Sequence, residues 1–305
     1  MLPRSLRYCA KAIYPAGEDC VTQLTTQQNW RSPILLLFLS MASIHSGAAI
    51  AKGLFDQVSP FGMVSLRLGL GALVLLLLVR PRWRHHSWQD YRLLALLGLS
   101  MGIMNACLYH AIAYIPIGVA VTLEFVGPLG VALFYSRRGA DWVWVAMAAA
   151  GVALLAPIGG SLHPLGVILA LIAGSCWAAY ITLSAQVGKV FPGSEGVAMA
   201  MTAGAIAIVP FGIAAEGTNL LNPYILMMGL LVAILSSALP YSLEMAALRQ
   251  LPVKVFGVLM SVEPGVASCI GLIVLGEQLS LRMVIAIVLV SSASIGSTLK
   301  SRAEL

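Results

Sequence analysis

Six ionisable side chains lie inside long apolar runs of this sequence, where a charge is costly: His45, Arg67, His110, Glu124, Glu244 and Glu263. Such residues are candidates for binding a charged solute or carrying protons. At about 1.5 Å per residue, Arg67 and Glu124 fall at similar depths, roughly 10 Å from the ends of their segments. We therefore expect these two residues to form a buried ion pair or to face each other across a cavity.

These charge types suit a zwitterionic solute. A buried carboxylate can accept an ammonium group, while Arg67 or a helix N-terminus can face a carboxylate. Carboxyl groups shielded from water can also bind and release protons, which would couple transport to a proton gradient. Because the sequence contains no GxxxxGK[ST] motif for ATP, any uphill transport must draw on an ion gradient.

Each candidate also has a purely structural explanation. Arg67 and Glu124 could form an architectural ion pair with no solute contact. Glu263 precedes Pro264, and its carboxyl group could satisfy the backbone carbonyl that the proline leaves without a donor. His45 could be a hydrogen-bonded core histidine.

Weaker candidates are uncharged. Asn105 and Tyr241 could line the same cavity, as could Tyr109, Trp177 and Tyr180. Aromatic residues in membrane helices more often pack or lie at the membrane interface, so the aromatic candidates carry less weight.

The composition indicates the medium that surrounds these residues. Of 305 residues, 59% are hydrophobic and 10% charged, and the mean hydropathy is +0.92. Soluble domains carry about 25% charged residues, and a soluble fold of this size could not bury so much apolar surface. Five cysteines without CxxC or Cys/His spacing predict no disulfide framework, metal site or cofactor.

The apolar runs predict an all-α integral membrane protein. A helix needs about 20 apolar residues to cross the hydrocarbon core. Turn-forming residues divide the sequence into ten predicted spans: 33–51, 60–79, 92–114, 117–136, 142–158, 164–184, 195–215, 223–247, 253–275 and 281–299. Prolines inside four of them predict kinks: Pro128, Pro210, Pro240 and Pro264.

The basic residues predict the orientation. Fifteen of the 18 Lys and Arg fall on the side of both termini, against Lys52 and Arg282 on the other. The positive-inside rule then places the tails 1–32 and 300–305 in the cytoplasm. The net charge of +6 is explained by this topology, so we expect no nucleic-acid partner.

The two halves of the sequence match at an offset of 136 residues. Matched pairs are Pro116 and Pro252, Pro128 and Pro264, and Asp141 and Glu277. Residues 33–160 and 161–299 are the predicted repeats, and five spans in each would invert the second in the membrane. Secondary transporters often combine inverted repeats with interrupted helices and a midplane site, although so short a match could arise by chance.

Four segments resemble the bacterial threonine/homoserine exporter family of the drug/metabolite transporter superfamily, whose members have two EamA-type repeats. The segments are 41–52, 123–129 (Leu-Glu-Phe-Val-Gly-Pro-Leu), 237–245 (with Pro-Tyr-Ser-Leu-Glu-Met) and 259–264. The resemblance runs from about residue 33 to 300. It implies ten spans, a central cavity between inverted repeats, and efflux by proton exchange. His45 departs from the glutamine of a relative, so the amino acid that is exported would differ if this position contacts the solute.

The resulting prediction is a secondary-active exporter of small amino acids in the bacterial inner membrane, working by alternating access with amino acid and protons as ligands. The site residues would be Glu124, Glu263 and Arg67, with Glu244, His45, Asn105 and Tyr241. The alternative is an exporter of aromatic amino acids or cationic drugs. A membrane-embedded enzyme is disfavoured because the sequence has no HExxH motif, and its GxSxG string, residues 98–102, lies inside a predicted membrane span instead of at a strand-to-helix turn. A channel is disfavoured because the sequence lacks charged rings.

Overall fold

The regular structure of the described residues is helical. The computed structural model describes residues 31–81, 87–134, 142–155, 162–191, 195–248 and 259–300, with Leu251 and Phe256. The helices are α1 Arg31–Lys52, α2 Pro60–Val79, α3 Trp88–Tyr114, α4 Ile117–Glu124, α5 Val126–Phe134, α6 Trp142–Leu154, α7 Pro164–Val190, α8 Glu195–Glu216, α9 Pro223–Ala233, α10 Leu239–Leu248, α11 Glu263–Leu275 and α12 Leu281–Lys300. A 3₁₀ turn, Gly217–Leu221, follows α8, and a π-helical turn, Ile234–Ala238, joins α9 to α10.

Five helical segments are long and apolar enough to cross a membrane: Pro33–Lys52, Pro60–Val79, Trp88–Tyr114, Pro164–Val190 and Glu195–Leu221. Each of the other five predicted spans contains a shorter apolar helix. The predicted all-helical membrane architecture is thus confirmed, and the count of ten spans stays a prediction.

Large apolar side chains cover the outer faces of these helices. Examples are Leu73, Leu77, Ile206, Ile273 and Val288, each more than half exposed. An exposed apolar surface of this extent would be unstable in water and matches the acyl chains of a bilayer.

Among the helix boundaries that differ from the predicted spans are those of α3 and α7. Helix α3 begins at Trp88 because Ser87 and Asp90 form a reciprocal capping box. Helix α7 continues to Val190, six residues beyond its predicted end. Asp141 lies outside the described residues, as does the tail that precedes Arg31.

Two helices are interrupted at matching places. Phe125 separates α4 from α5, and Ser261 and Val262 form a turn before α11. Phe125 and Ser261 are 136 residues apart, the offset of the sequence match. Pro128 and Pro264 follow the interruptions by three residues, and each removes one backbone hydrogen bond there.

Helices of the first half (α1–α6) pack against helices of the second (α7–α12). The principal pairs are α3 with α7, α2 with α8, α3 with α8 and α6 with α12, followed by α4 with α11 and by α4 and α5 with α7. Hydrogen bonds from Ser40 and Ser43 of α1 to the carbonyls of Pro240 and Leu235 add a contact between α1 and the α9–α10 segment. Exchanging the two halves maps three of these pairs onto themselves, α2 with α8, α4 with α11 and α6 with α12, as a two-fold relation between them would require.

Candidate functional site

A single cavity gathers six of the seven predicted site residues. It has a volume of about 140 Å³, and its polar lining includes His45, Arg67, Asn105, Glu124, Ser236, Glu244 and Glu263. Trp177 and Tyr180 are its aromatic lining residues. The seventh residue, Tyr241, lies in α10, and its side chain is outside the described part of the chain.

Arg67 is buried and is held by the second half of the chain. Its Nη2 donates to the carbonyl of Ser236 at 3.0 Å. Its guanidinium carbon lies 5.2 Å from the ring centroid of Tyr109, a distance typical of a cation–π contact. Its Nε is buried without a hydrogen-bond partner among the described residues.

Glu124 and Arg67 line the same cavity without forming an ion pair. Among the described residues, the Glu124 carboxylate makes no salt bridge or hydrogen bond to protein. Of the two arrangements expected from the sequence, the structure has the one in which these residues share a cavity. Glu124 therefore faces the cavity without a protein partner, and Arg67 lines the same cavity without a carboxylate partner among the described residues.

His45 and Glu263 lie together at another wall of the cavity. His45 Nε2 is 3.3 Å from Glu263 Oε1, but the two are not aligned as a hydrogen bond. Glu263 Oε2 is buried without a partner in the described part of the chain. Glu263 is the first residue of α11. Its carboxyl group makes no hydrogen bond to the carbonyl of Met260, so it does not satisfy the carbonyl that the following proline leaves without a donor.

Glu244 is the third carboxylate of the cavity. Its Oε1 accepts a hydrogen bond from Ser40 Oγ at 2.8 Å, which ties α10 to α1. Ser40 and Ser236 were not predicted from the sequence, because serine is common in membrane helices and neither residue carries a signal of its own. His110 packs elsewhere, edge-on to Phe61, with its Nδ1 2.7 Å from the carbonyl of Ala106.

The cavity has more acidic than basic groups. Three carboxyl groups share it with one arginine and one histidine. Unpaired charges in apolar surroundings are strongly unfavourable, so full ionisation of all three acids would be costly. A proton or the ammonium group of a solute would relieve this imbalance. Within the described residues, no cluster of three His, Cys, Asp or Glu side chains could bind a metal ion.

The π-helical turn positions one wall of this site. Ile234–Ala238 widens the helix by one residue per turn, and such turns often occur at functional sites. The turn places the Ser236 carbonyl against Arg67 and the Ser236 hydroxyl 3.3 Å from the carbonyl of Ile44.

A family model agrees with this architecture. The model of the EamA-like transporter family matches the chain twice, over residues 31–156 and 164–299. The chain belongs to the EamA-like transporter family. Both the family resemblance inferred from the sequence and the prediction that the chain is a transporter and not an enzyme are confirmed.

Individual relatives cover most of the chain. The threonine/homoserine exporter RhtA of Salmonella typhimurium strain LT2 is 46% identical over 276 residues, which are 89% of this chain and 93% of that relative. RhtA of Escherichia coli K12 matches to the same extent. An uncharacterized transporter of Clostridium kluyveri is 23% identical over 282 residues, which are 85% of this chain and 89% of that protein.

A solved crystal structure has the same fold. It shares 21% sequence identity with this chain and has a TM-score of 0.57. The match covers 90% of this chain and 99% of the solved one. Together with the apolar helices, the family assignment makes the chain a multi-pass membrane transporter.

Proposed function

We propose that this transporter exports small amino acids of the threonine and homoserine type across the bacterial inner membrane. The observation that carries the proposal is the shared cavity that Glu124 and Arg67 both line, neither of them in a salt bridge among the described residues. The names of relatives that are 46% identical point to the same solutes.

The cavity chemistry matches a hydroxylated zwitterion. The ammonium group of the solute would bind Glu124, and its carboxylate would bind Arg67, because ionised partners form the strongest hydrogen bonds. Asn105 and the Ser236 hydroxyl offer polar partners for the hydroxyl group of the solute. Five ionisable residues among the lining suit a small polar solute better than a large aromatic cation.

The architecture supports alternating access. We propose ten spans in two inverted halves, with both termini in the cytoplasm and the site between the halves. The matched interruptions at Phe125 and Ser261 and the exchangeable helix pairs favour this arrangement, which is common among secondary transporters.

Proton exchange is the proposed source of energy. The surplus of carboxyl groups would let one of them bind a proton when the solute has left, keeping the cavity close to neutral. Export of amino acid against entry of protons would then follow from competition for the same buried charges.

Counterflow in proteoliposomes tests this function. Purified protein should exchange labelled threonine or homoserine, and an imposed pH gradient should change the rate. Glu124→Gln should abolish exchange because an amide cannot hold an ammonium group, while Glu195→Gln, at the start of α8, should exchange like the wild type.

Two outcomes would contradict the proposal. If the protein exchanged only aromatic amino acids or cationic drugs, the alternative function would be the correct one. Trp177 and Tyr180 are the lining residues that would contact such solutes. Exchange at the wild-type rate by Glu124→Gln would show that this carboxylate does not bind the solute.

A further inference from the structure

Three distant chain segments are joined at the end of the bundle where α1 ends. Lys52 Nζ donates to Glu277 Oε1 at 2.6 Å and to the carbonyl of Ile115 at 3.0 Å. The backbone N–H of Ile117 donates to both Glu277 oxygens, at 3.0 and 3.2 Å. We call these four residues the clasp. Both charged side chains are largely buried, with 22% of Lys52 and 10% of Glu277 exposed.

The local sequence explains how Glu277 reaches α4. Gly276 ends α11 with a φ of +66°, a left-handed conformation that favours glycine and turns the chain back on itself. Pro116, at the start of α4, provides no side-chain cap. The Glu277 carboxylate therefore accepts the free N–H at the N-terminus of α4, where the helix dipole favours a negative charge.

A buried apolar layer separates the clasp from the cavity. On each of four helices, the layer lies between a residue that lines the cavity and a residue at the clasp. The cavity-lining residues are Ala48, Leu108, Glu124 and Glu263. The layer includes Ala49, Ile112, Val119, Ala120 and Ala267, all almost completely buried. It is about 6 Å deep along α1 and about 10 Å deep along α3 and α4.

Helices α4 and α11 close this layer by direct contact. Gly118 lies so close to Ser268 that a Cβ atom at residue 118 would overlap the Ser268 backbone. A solute moving from the cavity towards this end must part these helices. Each has an irregular turn beside the cavity, at Phe125 in one and at Ser261–Val262 in the other, where the helix can bend.

We propose that the clasp is the releasable lock of the gate at this end of the transporter, which the charge distribution assigns to the periplasmic face. This inference rests on the proposed transport function. In the closed form, the charges of Lys52 and Glu277 are paired, and Glu277 also accepts the backbone N–H at the start of α4. In the open form, water solvates both charges, which offsets part of the interaction that is lost and makes opening reversible.

The test measures access to the cavity from outside the cell. Cysteine replaces Ala48 in a chain whose five native cysteines are serine, and a membrane-impermeant maleimide is added to intact cells. Lys52→Gln and Glu277→Gln should each raise the labelling rate about tenfold, because each leaves a buried charge without its partner. Lys52→Arg should label like the parent because it keeps the charge.

Glu216→Gln is the matched control. Glu216 also accepts a backbone N–H, from Ser59 at 2.6 Å, but it joins α8 to α2 and does not border the apolar layer. Its substitution should leave labelling unchanged.

Unchanged labelling in both Lys52→Gln and Glu277→Gln, with normal amounts of protein in the membrane, would overturn the proposal. So would a rise that occurs only in inside-out vesicles. If Glu277→Gln fails to reach the membrane, Lys52→Gln decides alone, because lysine does not cap α4. Labelling requires no substrate. The test of the gate can therefore succeed even if the protein does not exchange threonine, so failure of the proposed function and failure of this proposal are distinguishable.

Discussion

The Arg67 guanidinium is held by a ring on one face and a carbonyl at one edge. Tyr109 supplies the ring, and Ser236 on the π-helical turn supplies the carbonyl. A planar guanidinium can stack and donate at the same time, whereas the compact ammonium of lysine cannot match both contacts. The fixed orientation leaves Nε free of protein partners among the described residues.

Two substitutions of Tyr109 distinguish the contribution of its ring to solute binding from that of its hydroxyl group. The hydroxyl is buried without a partner in the described part of the chain, so Tyr109→Phe should leave solute affinity unchanged. Tyr109→Leu removes the cation–π contact, worth about 0.5–2 kcal/mol, and should weaken binding by about twofold to thirtyfold. Half-saturation concentrations in counterflow measure the difference. Equal values for Phe and Leu would show that the ring does not orient Arg67.

The sequence identified the charged residues of the cavity but not what holds them. Ionisable side chains in apolar runs are rare enough to be recognised singly. The partner of Arg67 is a backbone carbonyl 169 residues away, and every residue has such a carbonyl. The closeness of His45 to Glu263 likewise depends on how the two halves pack, which local sequence does not encode.

At the scale of elements, the crossing of the α4–α5 segment with α7 fixes the position of Glu124. Gly127 and Gly174 face each other so closely that neither has room for a side chain. A Cβ atom at Gly174 would lie 2.6 Å from the backbone carbonyl oxygen of Glu124. The crossing therefore lies at the main chain of Glu124 itself.

Enlarging this crossing should destabilise the protein. Gly174→Val would force the segments apart, and overpacking of this kind costs about 1–3 kcal/mol or more. Gly130→Ala is the control, because nothing lies within 4 Å of a Cβ atom there; alanine also favours a helix by about 1 kcal/mol. The soluble, monodisperse fraction after heating in detergent measures both. A Gly174→Val protein as heat-resistant as the parent would contradict the tight crossing.

Proline predicted some of the irregular elements. Pro128 and Pro264 lie beside the two interruptions, as the loss of a backbone donor implies, whereas α8 continues through Pro210. The π-helical turn precedes Pro240, but nothing in Ile-Leu-Ser-Ser-Ala marks its geometry. Tertiary contacts to Arg67 and α1 accompany that turn, so its conformation was not accessible from local sequence.

At the scale of the whole molecule, each half lacks a complete cavity. Arg67, Asn105 and Glu124 come from the first half, while Ser236, Glu244 and Glu263 come from the second. Hydropathy predicted the helices well because each apolar run is a local signal. The pairing of helices across the halves could be inferred only as a consequence of the repeat.

Reporter fusions test the proposed orientation. Because basic residues stay in the cytoplasm, a fluorescent protein fused after Leu305 should fluoresce, and alkaline phosphatase fused there should be inactive. Phosphatase fused to a chain that ends at Gln57, in the loop after α1, should be active. The opposite pattern would invert the orientation and move the clasp to the cytoplasmic face.

The contacts of α1 and α2 with the second half also constrain biogenesis. These helices leave the ribosome well before α9–α11, yet Ser40 bonds to Glu244, His45 lies against Glu263, and Arg67 donates to Ser236. Their polar groups therefore enter the insertion machinery without their eventual partners. Until translation delivers the later helices, water in the translocation channel or a membrane chaperone must shelter those groups from lipid.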